Sequence, residues 1–559
     1  MNFVLRNAVV YDGTGGPARH VDVGVDGDRI VAVGDVSRAS AEDAGTEVID
    51  LEGRALSPGF VDAHTHFDAQ VTWDPALTPS CWHGVTTVVM GNCGFGIAPT
   101  REEHRRSIMR TLENVEGMSF DALDAGIAWS FESFPEYLDA IDRQPIRLNV
   151  AALIGHTPLR VHVMREAATE RAATPDEISE MCTLLGDALR AGAVGFATSK
   201  AGVHAGEDGK PVPSRFAESD EITALTDVLR EEQRGILQVT RGPGLQAEDL
   251  AAISRRTGRP ATWTALVTSQ HPRGFATELL DRTEALGGEV WPQIACQPIV
   301  QQITIEEPGP LAYADAIREL LAVPREQRKD LCRDRAWRAR ARADLEDPTR
   351  HPGGGGAAFW DRVGIDESVA HADLVGANLA ELARARGIDP FDLMVDLSLD
   401  EDLRTRFRCV MTNYDDDEIA TLLNDRRALL AVSDAGAHVS QLCDASFSTR
   451  LLSTWVRERE AISLEFAIWR LTAHPAQVFR IPDRGVIRPG AWADLVAFDP
   501  ATIAPTPNQR VADLPGGADR LLSHSVGIDS VWVNGVATVR DGEDVDSGGS
   551  GQLLRDVGV

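Results

Sequence analysis

Eight short apolar runs, alternating with helix-patterned stretches, constrain this chain more than any other feature. They occupy 59–63, 84–90, 148–154, 193–197, 235–239, 262–267, 289–294 and 429–432. Strands that are apolar on both faces must be covered on both faces, which is the property of a parallel sheet flanked by helices. The stretches 175–190 and 218–233 carry helical patterning between such runs. Thr174-Pro175-Asp176-Glu177 supplies a helix start, with Thr as the cap and Pro at the first position. Eight strand–helix repeats predict an α/β fold, a closed (β/α)8 TIM-type barrel. Its active site belongs at the C-terminal ends of the strands. The barrel is expected over 57–298 and 429–477.

The ends of the chain have a different texture. Residues 1–56 read as short strands broken by Gly/Asp turns, and 478–545 repeat that pattern, so the two termini are expected to build one small β-sandwich. Residues 299–428 interrupt the repeat between strands seven and eight as a charged, mostly helical insertion. It includes an Arg-rich run over 325–342 and a loop at Gly353-Gly354-Gly355-Gly356. An insertion of that length at the catalytic face reads as a lid or an interface. Its Trp and Arg content is compatible with a homo-oligomer.

Composition narrows the partners. With 559 residues, a net charge of −30 and a pI near 4.8, the chain repels nucleic-acid backbones, and no nucleic-acid partner is expected. Seven Cys with no CxxC pair give neither a disulfide framework nor a zinc ribbon. No apolar run approaches the ~18 residues of a membrane span, and the first residues lack the pattern of a signal peptide. The expectation is a cytoplasmic enzyme with a small-molecule substrate and no membrane partner. Only three of the 55 basic residues are Lys (Lys200, Lys210 and Lys329), so each Lys is a rare choice.

The sharpest chemical motif is Pro58-Gly59-Phe60-Val61-Asp62-Ala63-His64-Thr65-His66. Residues i and i+2 of a strand point to one side, so His64 and His66 project together from the end of strand one. Two converging imidazoles suit a divalent metal. Spacing alone leaves a pair of structural histidines open, and the place at the mouth of a barrel favours the metal. Strand eight ends Ser433-Asp434-Ala435-Gly436. Asp434 lies beside strand one once the barrel closes, where its carboxylate can ligate a metal and accept a proton from water. The alternative is an Asx turn or helix cap.

These segments resemble the amidohydrolase superfamily, in its N-acyl-D-amino-acid deacylase (D-aminoacylase) branch. The resemblance rests on 58–66, on Gly91-Asn92-Cys93-Gly94, on Gly155-His156-Thr157-Pro158-Leu159-Arg160 and on Ser433-Asp434. It also rests on Arg484-Gly485-Val486-Ile487-Arg488-Pro489-Gly490 with Ala493-Asp494-Leu495-Val496, and it spans nearly the whole chain. It implies a metal-dependent amidohydrolase that cleaves the amide of an N-acyl amino acid or a related small carboxylated amide. The metal is a divalent ion, foremost zinc with manganese or iron as alternatives, present as one or two ions. Cys93 is implied as a thiolate ligand beside His64, His66 and Asp434, with Asp434 also the catalytic base. His156 is implied to polarise a carbonyl or line the pocket, or else is a structural histidine.

The sequence departs from the family at strands five and six, where a His normally closes each. Here those ends read Gln238-Val239-Thr240-Arg241 and Thr264-Ala265-Leu266-Val267-Thr268. Three arrangements follow: one metal on His64, His66, Asp434 and Cys93; recruitment of His271 or His204 from loops; or a degenerate site. Lys200 closes strand four, either as the carbamylated bridge of other branches or as an ammonium that binds a substrate carboxylate. Arg241 pairs with Lys200 in the latter role or is a surface Arg, and His271 is a further substrate-binding candidate. The same constellation also fits a cyclic amide or lactone hydrolase or a decarboxylase. Loss of the two histidines leaves room for a binding or assembly protein with little catalysis.

Overall fold

The computed structural model describes every residue except 37–44, 207–208 and 348–356. The Gly353–Gly356 loop lies outside the described residues. Contacts divide the rest into two units. The first comprises Met1–Val267, Arg273–Cys296 and Asp416–Val559, and the second Thr268–Pro272 with Gln297–Asp415.

The first unit contains the barrel. Its strands are Phe60–Thr65, Val85–Met90, Asn149–Gly155, Gly195–Ser199, Ile236–Thr240, Ala261–Thr264, Val290–Ile294 and Leu429–Leu430, paired in that order and parallel throughout. Each apolar run expected from the sequence became a strand. The ring closes just past strand eight, where Thr65 bridges Ala435 in parallel and His66 N–H donates to the Ala435 carbonyl at 2.7 Å. That seam sets the ends of strands one and eight side by side. The Pro175–Ala191 helix starts as its sequence implies: Thr174 caps it, Glu177 completes a capping box, and Gly192 ends it at φ 116°.

The termini form one nine-stranded sheet. Its N-terminal strands include Phe3–Val10, Arg19–Asp26 and Ala55–Pro58, and Ala55–Pro58 pairs antiparallel with Leu495–Phe498 from the other end of the chain. This is a mixed sheet, because Phe3–Val10 runs parallel to both Glu47–Asp50 and Ala55–Pro58. Beyond it the last residues turn back to the barrel. Leu553 bridges Val150, Gly235 N–H donates to the Gly558 carbonyl at 2.7 Å, and Leu554 and Val557 are buried with Val61, Ala151, Val194 and Ile236. The tail therefore plugs the N-terminal mouth of the barrel, opposite the site. Leu554 and Val557 each contribute about 1.5–3 kcal/mol through burial.

The second unit has its own core around Ile303, Trp337, Phe391 and Phe407. Its helices, among them Arg325–Arg333, Arg335–Glu346 and Pro390–Asp400, pack with a three-stranded antiparallel sheet. In that sheet Arg406–Thr412 lies between Ile299–Ile303 and Val363–Glu367. The sheet is a departure from the mostly helical reading, which the charge of the segment had suggested. The Arg-rich run is neutralised locally: Arg338 pairs with Asp396 at 2.7 Å, Arg340 with Glu319 at 2.6 Å, and Arg342 with Asp392. The helix Asp416–Asn424 groups with the barrel unit, so this unit ends at Asp415 rather than at 428.

Candidate metal centre

Strand one delivers His64 and His66, and its pairing with strand two slips between Asp62 and Thr65. Such a bulge re-aims the side chains at a strand end. The two rings lie 5.4 Å apart. Strand two ends in a tight turn at Gly91-Asn92-Cys93-Gly94. Gly91 has φ 86°, and a Cβ there would sit 2.2 Å from the Leu153 carbonyl oxygen, so only Gly fits. Asn92 Nδ2 donates to the Val89 carbonyl at 2.9 Å and pins the turn. Cys93 follows at φ 57°, and Asp434 has φ 47°. Left-handed backbone at non-glycine residues persists only where the surroundings enforce it, and it collects at functional sites.

These elements bring four donors together. His64 Nε2 lies 3.4 Å from Cys93 Sγ and 3.2 Å from Asp434 Oδ1, and His66 Nε2 lies 3.8 Å from the same oxygen. The donor atoms of His64, His66 and Cys93 all fall within 4.8 Å of one another. Zinc–ligand bonds of about 2.0–2.3 Å at tetrahedral angles put neighbouring N and O donors ~3.4 Å apart and N and S donors ~3.6 Å apart. His64, His66 and Cys93 therefore fit a divalent ion in both chemistry and spacing, and Asp434 approaches the cluster from the side of the two histidines. His64 is also oriented for that role: its Nδ1 meets Gln293 Oε1 at 2.5 Å, which leaves Nε2 with its lone pair toward the cluster. Gln238 Oε1 accepts from Cys93 N–H at 2.7 Å and holds the thiol turn.

Electrostatics separate the groups. Burial works against the charge of Asp434, but the hydrogen bond and charge of His64, aided by His66, hold it well below the usual carboxylate range. Burial, reinforced by His64, pushes His66 down to about 3, so that ring is neutral and able to ligate. Burial raises the Cys93 thiol while His64 draws it back.

The other sequence candidates divide. His156 is fully buried at the start of the helix after strand three, and both of its nitrogens are engaged, Nδ1 with Thr198 Oγ1 and Nε2 with Glu221 Oε1, each at 2.7 Å. Glu221 also takes Arg160. A ring tied at both nitrogens favours the structural alternative for His156 over the catalytic one. Lys200 is likewise committed, because its Nζ donates to the Arg215 carbonyl at 3.0 Å and to the Ala217 carbonyl. In this arrangement two backbone carbonyls hold its ammonium, which disfavours a bridging role. His271 is exposed and belongs to the second unit. His204, by contrast, sits in the barrel unit and feels Asp434 and His438. Its Nδ1 meets Ser199 Oγ at 2.7 Å. Arg241 stacks its guanidinium on the Trp263 ring at 3.5 Å. It makes no ion pair among the described residues and has a buried Nε without a partner.

Four polar residues of the site went unread in the sequence: Gln238, Gln293, Glu116 and His438. Inward polar residues near the ends of apolar strands were the available signal for the two glutamines. Glu116 ends the helix Arg105–Glu116, and its Oε2 lies 3.6 Å from His66 Nε2.

Comparison with known proteins bears on this geometry. The model of the amidohydrolase family matches residues 47–543. An N-acyl-D-glutamate deacylase of Alcaligenes xylosoxydans xylosoxydans is 31% identical over 96% of this chain and 93% of its own length. A D-aminoacylase of the same organism is 28% identical over 96% and 93%. The crystal structure of an N-acyl-D-glutamate deacylase from Bordetella bronchiseptica, complexed with zinc and a phosphonate mimic of the tetrahedral intermediate, superposes with a TM-score of 0.65. It is 28% identical, over 99% of both chains.

Proposed function

Since the chain belongs to the amidohydrolase family, in its D-aminoacylase-like branch, and is a hydrolase, we propose that it removes the acyl group from N-acyl-D-amino acids. His64, His66, Cys93 and Asp434 hold the divalent metal in this reading. The observation that carries it is the approach of Cys93 Sγ and Asp434 Oδ1 to His64 Nε2, at 3.4 and 3.2 Å.

When bound, the metal supplies Lewis acidity to the scissile carbonyl and lowers the pKa of water toward about 7. The chain does the rest. Asp434, kept ionised and 34% exposed, takes a proton from the attacking water and returns it to the leaving nitrogen, so the products are a carboxylate and an amine. Gln293 fixes the His64 ring. Arg241, held flat on Trp263, offers its fork to the substrate carboxylate. A local cation matters in a chain of net charge −30, whose general field repels an anion.

The test is hydrolysis of paired N-acetyl-D- and N-acetyl-L-amino acids by the metal-loaded protein, followed by chromatography of the released amine. We expect D-selective release that a chelator stops and zinc, manganese or iron restores. Retained metal without turnover of any N-acyl amino acid overturns the substrate assignment, and failure to retain metal favours the degenerate binding protein.

A further inference from the structure

Glu116 is placed where burial and the neighbouring carboxylates of Asp434 and Asp68 outweigh the favourable charge of His64. It is the last residue of the helix Arg105–Glu116, where the helix dipole disfavours an anion. It is 4% exposed, and Asp434, another carboxylate, acts on it. Among the described residues no Lys or Arg pairs with it, and its nearest polar partner is His66 Nε2 at 3.6 Å. A buried carboxylate without a cation is costly.

The position is nevertheless built. Gly117 ends the helix at φ 60° and packs closely on His438, while His438 N–H donates to the Glu116 carbonyl at 2.6 Å. That hydrogen bond ties the helix end to the loop that carries Asp434. The Glu116 carboxylate is thereby held against His66 on the same nitrogen that faces Asp434. Its 3.6 Å from that nitrogen is close to the ~3.4 Å edge between two ligands of one zinc-like ion.

We propose that Glu116 is an additional metal ligand, entering from the His66 side and replacing donors that strands five and six do not supply. The proposal rests on the metal-centre reading above. It explains why the protein keeps an acid at the buried end of a helix, since the divalent cation compensates both Glu116 and Asp434.

The test measures metal affinity by competition against a chromophoric chelator, and coordination by the visible absorption of the cobalt-substituted protein, in wild type, E116Q, E116D and H64N. Loss of a direct ligand should cost at least the roughly 10–100-fold that loss of an outer partner costs. E116Q should therefore bind metal at least that much more weakly and change the cobalt bands, and E116D should recover part of the affinity. Wild-type affinity and cobalt bands in E116Q, with H64N impaired, overturn the Glu116 assignment and leave the centre standing. If H64N also binds as wild type, the centre itself is wrong. If E116Q does not fold, E116D decides alone, and unaltered affinity and spectrum there overturn the assignment.

Discussion

Breaking the His156–Glu221–Arg160 network should cost stability in a way that its parts do not add up to. Arg160 and Glu221 are 0% and 1% exposed, and Glu221 accepts from His156 at 2.7 Å as well as from Arg160. Burial disfavours the Glu221 charge, but His156 and Arg160 outweigh it and hold the carboxyl down at about 2 from an ordinary 4.5. That difference is worth roughly 3 kcal/mol. Because the folded value is the lower one, the contribution is whole above the ordinary value and is lost only as pH falls toward about 2. At pH 7.5 it is fully present. Glu221→Gln leaves Arg160 buried without a counter-charge, which costs about 3–5 kcal/mol, and Arg160→Met strands Glu221 at a similar cost. The double variant removes both charges and should cost no more than the worse single, a coupling of at least roughly 3 kcal/mol. Hydrogen exchange of peptides from Asn149–Gly155 and Gly195–Ser199 measures this locally, since a two-unit chain does not promise one global transition. Single-variant costs that add within about 0.5 kcal/mol would refute the network.

Asp434→Asn should keep the circular dichroism spectrum and lower kcat for amide hydrolysis by about 100–10,000-fold; unchanged turnover would remove it as the base. Arg241→Met should raise KM for carboxylated substrates at least about tenfold while sparing their amide-capped analogues, and equal effects on both would deny it the carboxylate. Buried His83, whose Nε2 donates to the Ser523 carbonyl at 2.9 Å, is pushed down to about 4 by burial. Its folded value lies below the unfolded one, so stability is complete above about 6.5 and falls on acidification. Between pH 7.5 and 5.5 this residue should cost about 1.4 kcal/mol, read by hydrogen exchange of the peptide around His83, and His83→Gln should lack that increment.

The barrel was legible because its signal is redundant. Each strand announces itself as an apolar run, and eight of them in alternation with helices leave few closed arrangements. The proposed metal cluster was legible to the extent that its residues sit at strand ends: His64, His66 and Asp434 were candidates from pattern alone. Cys93 needed a resemblance, because its orientation comes from a left-handed turn that no periodicity encodes. His156 and Lys200 share one feature. Both occupy the strand-end positions where chemistry is expected, but their partners, Glu221 and the 215–217 carbonyls, come from a distant helix and loop. A strand end shows where a side chain starts and not what already holds it.

Glu116 is the converse case, a residue invisible to motif reading because it lies 50 positions beyond His66 and on a helix. Its helix does leave a trace. Ile108, Met109, Leu112 and Glu116 fall on one buried face at steps of one, three and four residues, so an acid stands where an apolar side chain would complete the stripe. A charge on an apolar stripe is expensive unless something at the far end of the side chain compensates it. Strands five to seven raise the matching question, since among the described residues Thr240 and Thr264 leave buried hydroxyls without partners, and Gln238 and Gln293 leave buried amide nitrogens so. Neutral donors have been withdrawn from that wall and an anionic one supplied from the other side. The exchange makes the centre more negative, which strengthens its hold on a divalent cation and weakens the Lewis acidity that cation retains. Metal affinity and turnover should therefore move in opposite directions when a histidine is restored at position 240 or 264.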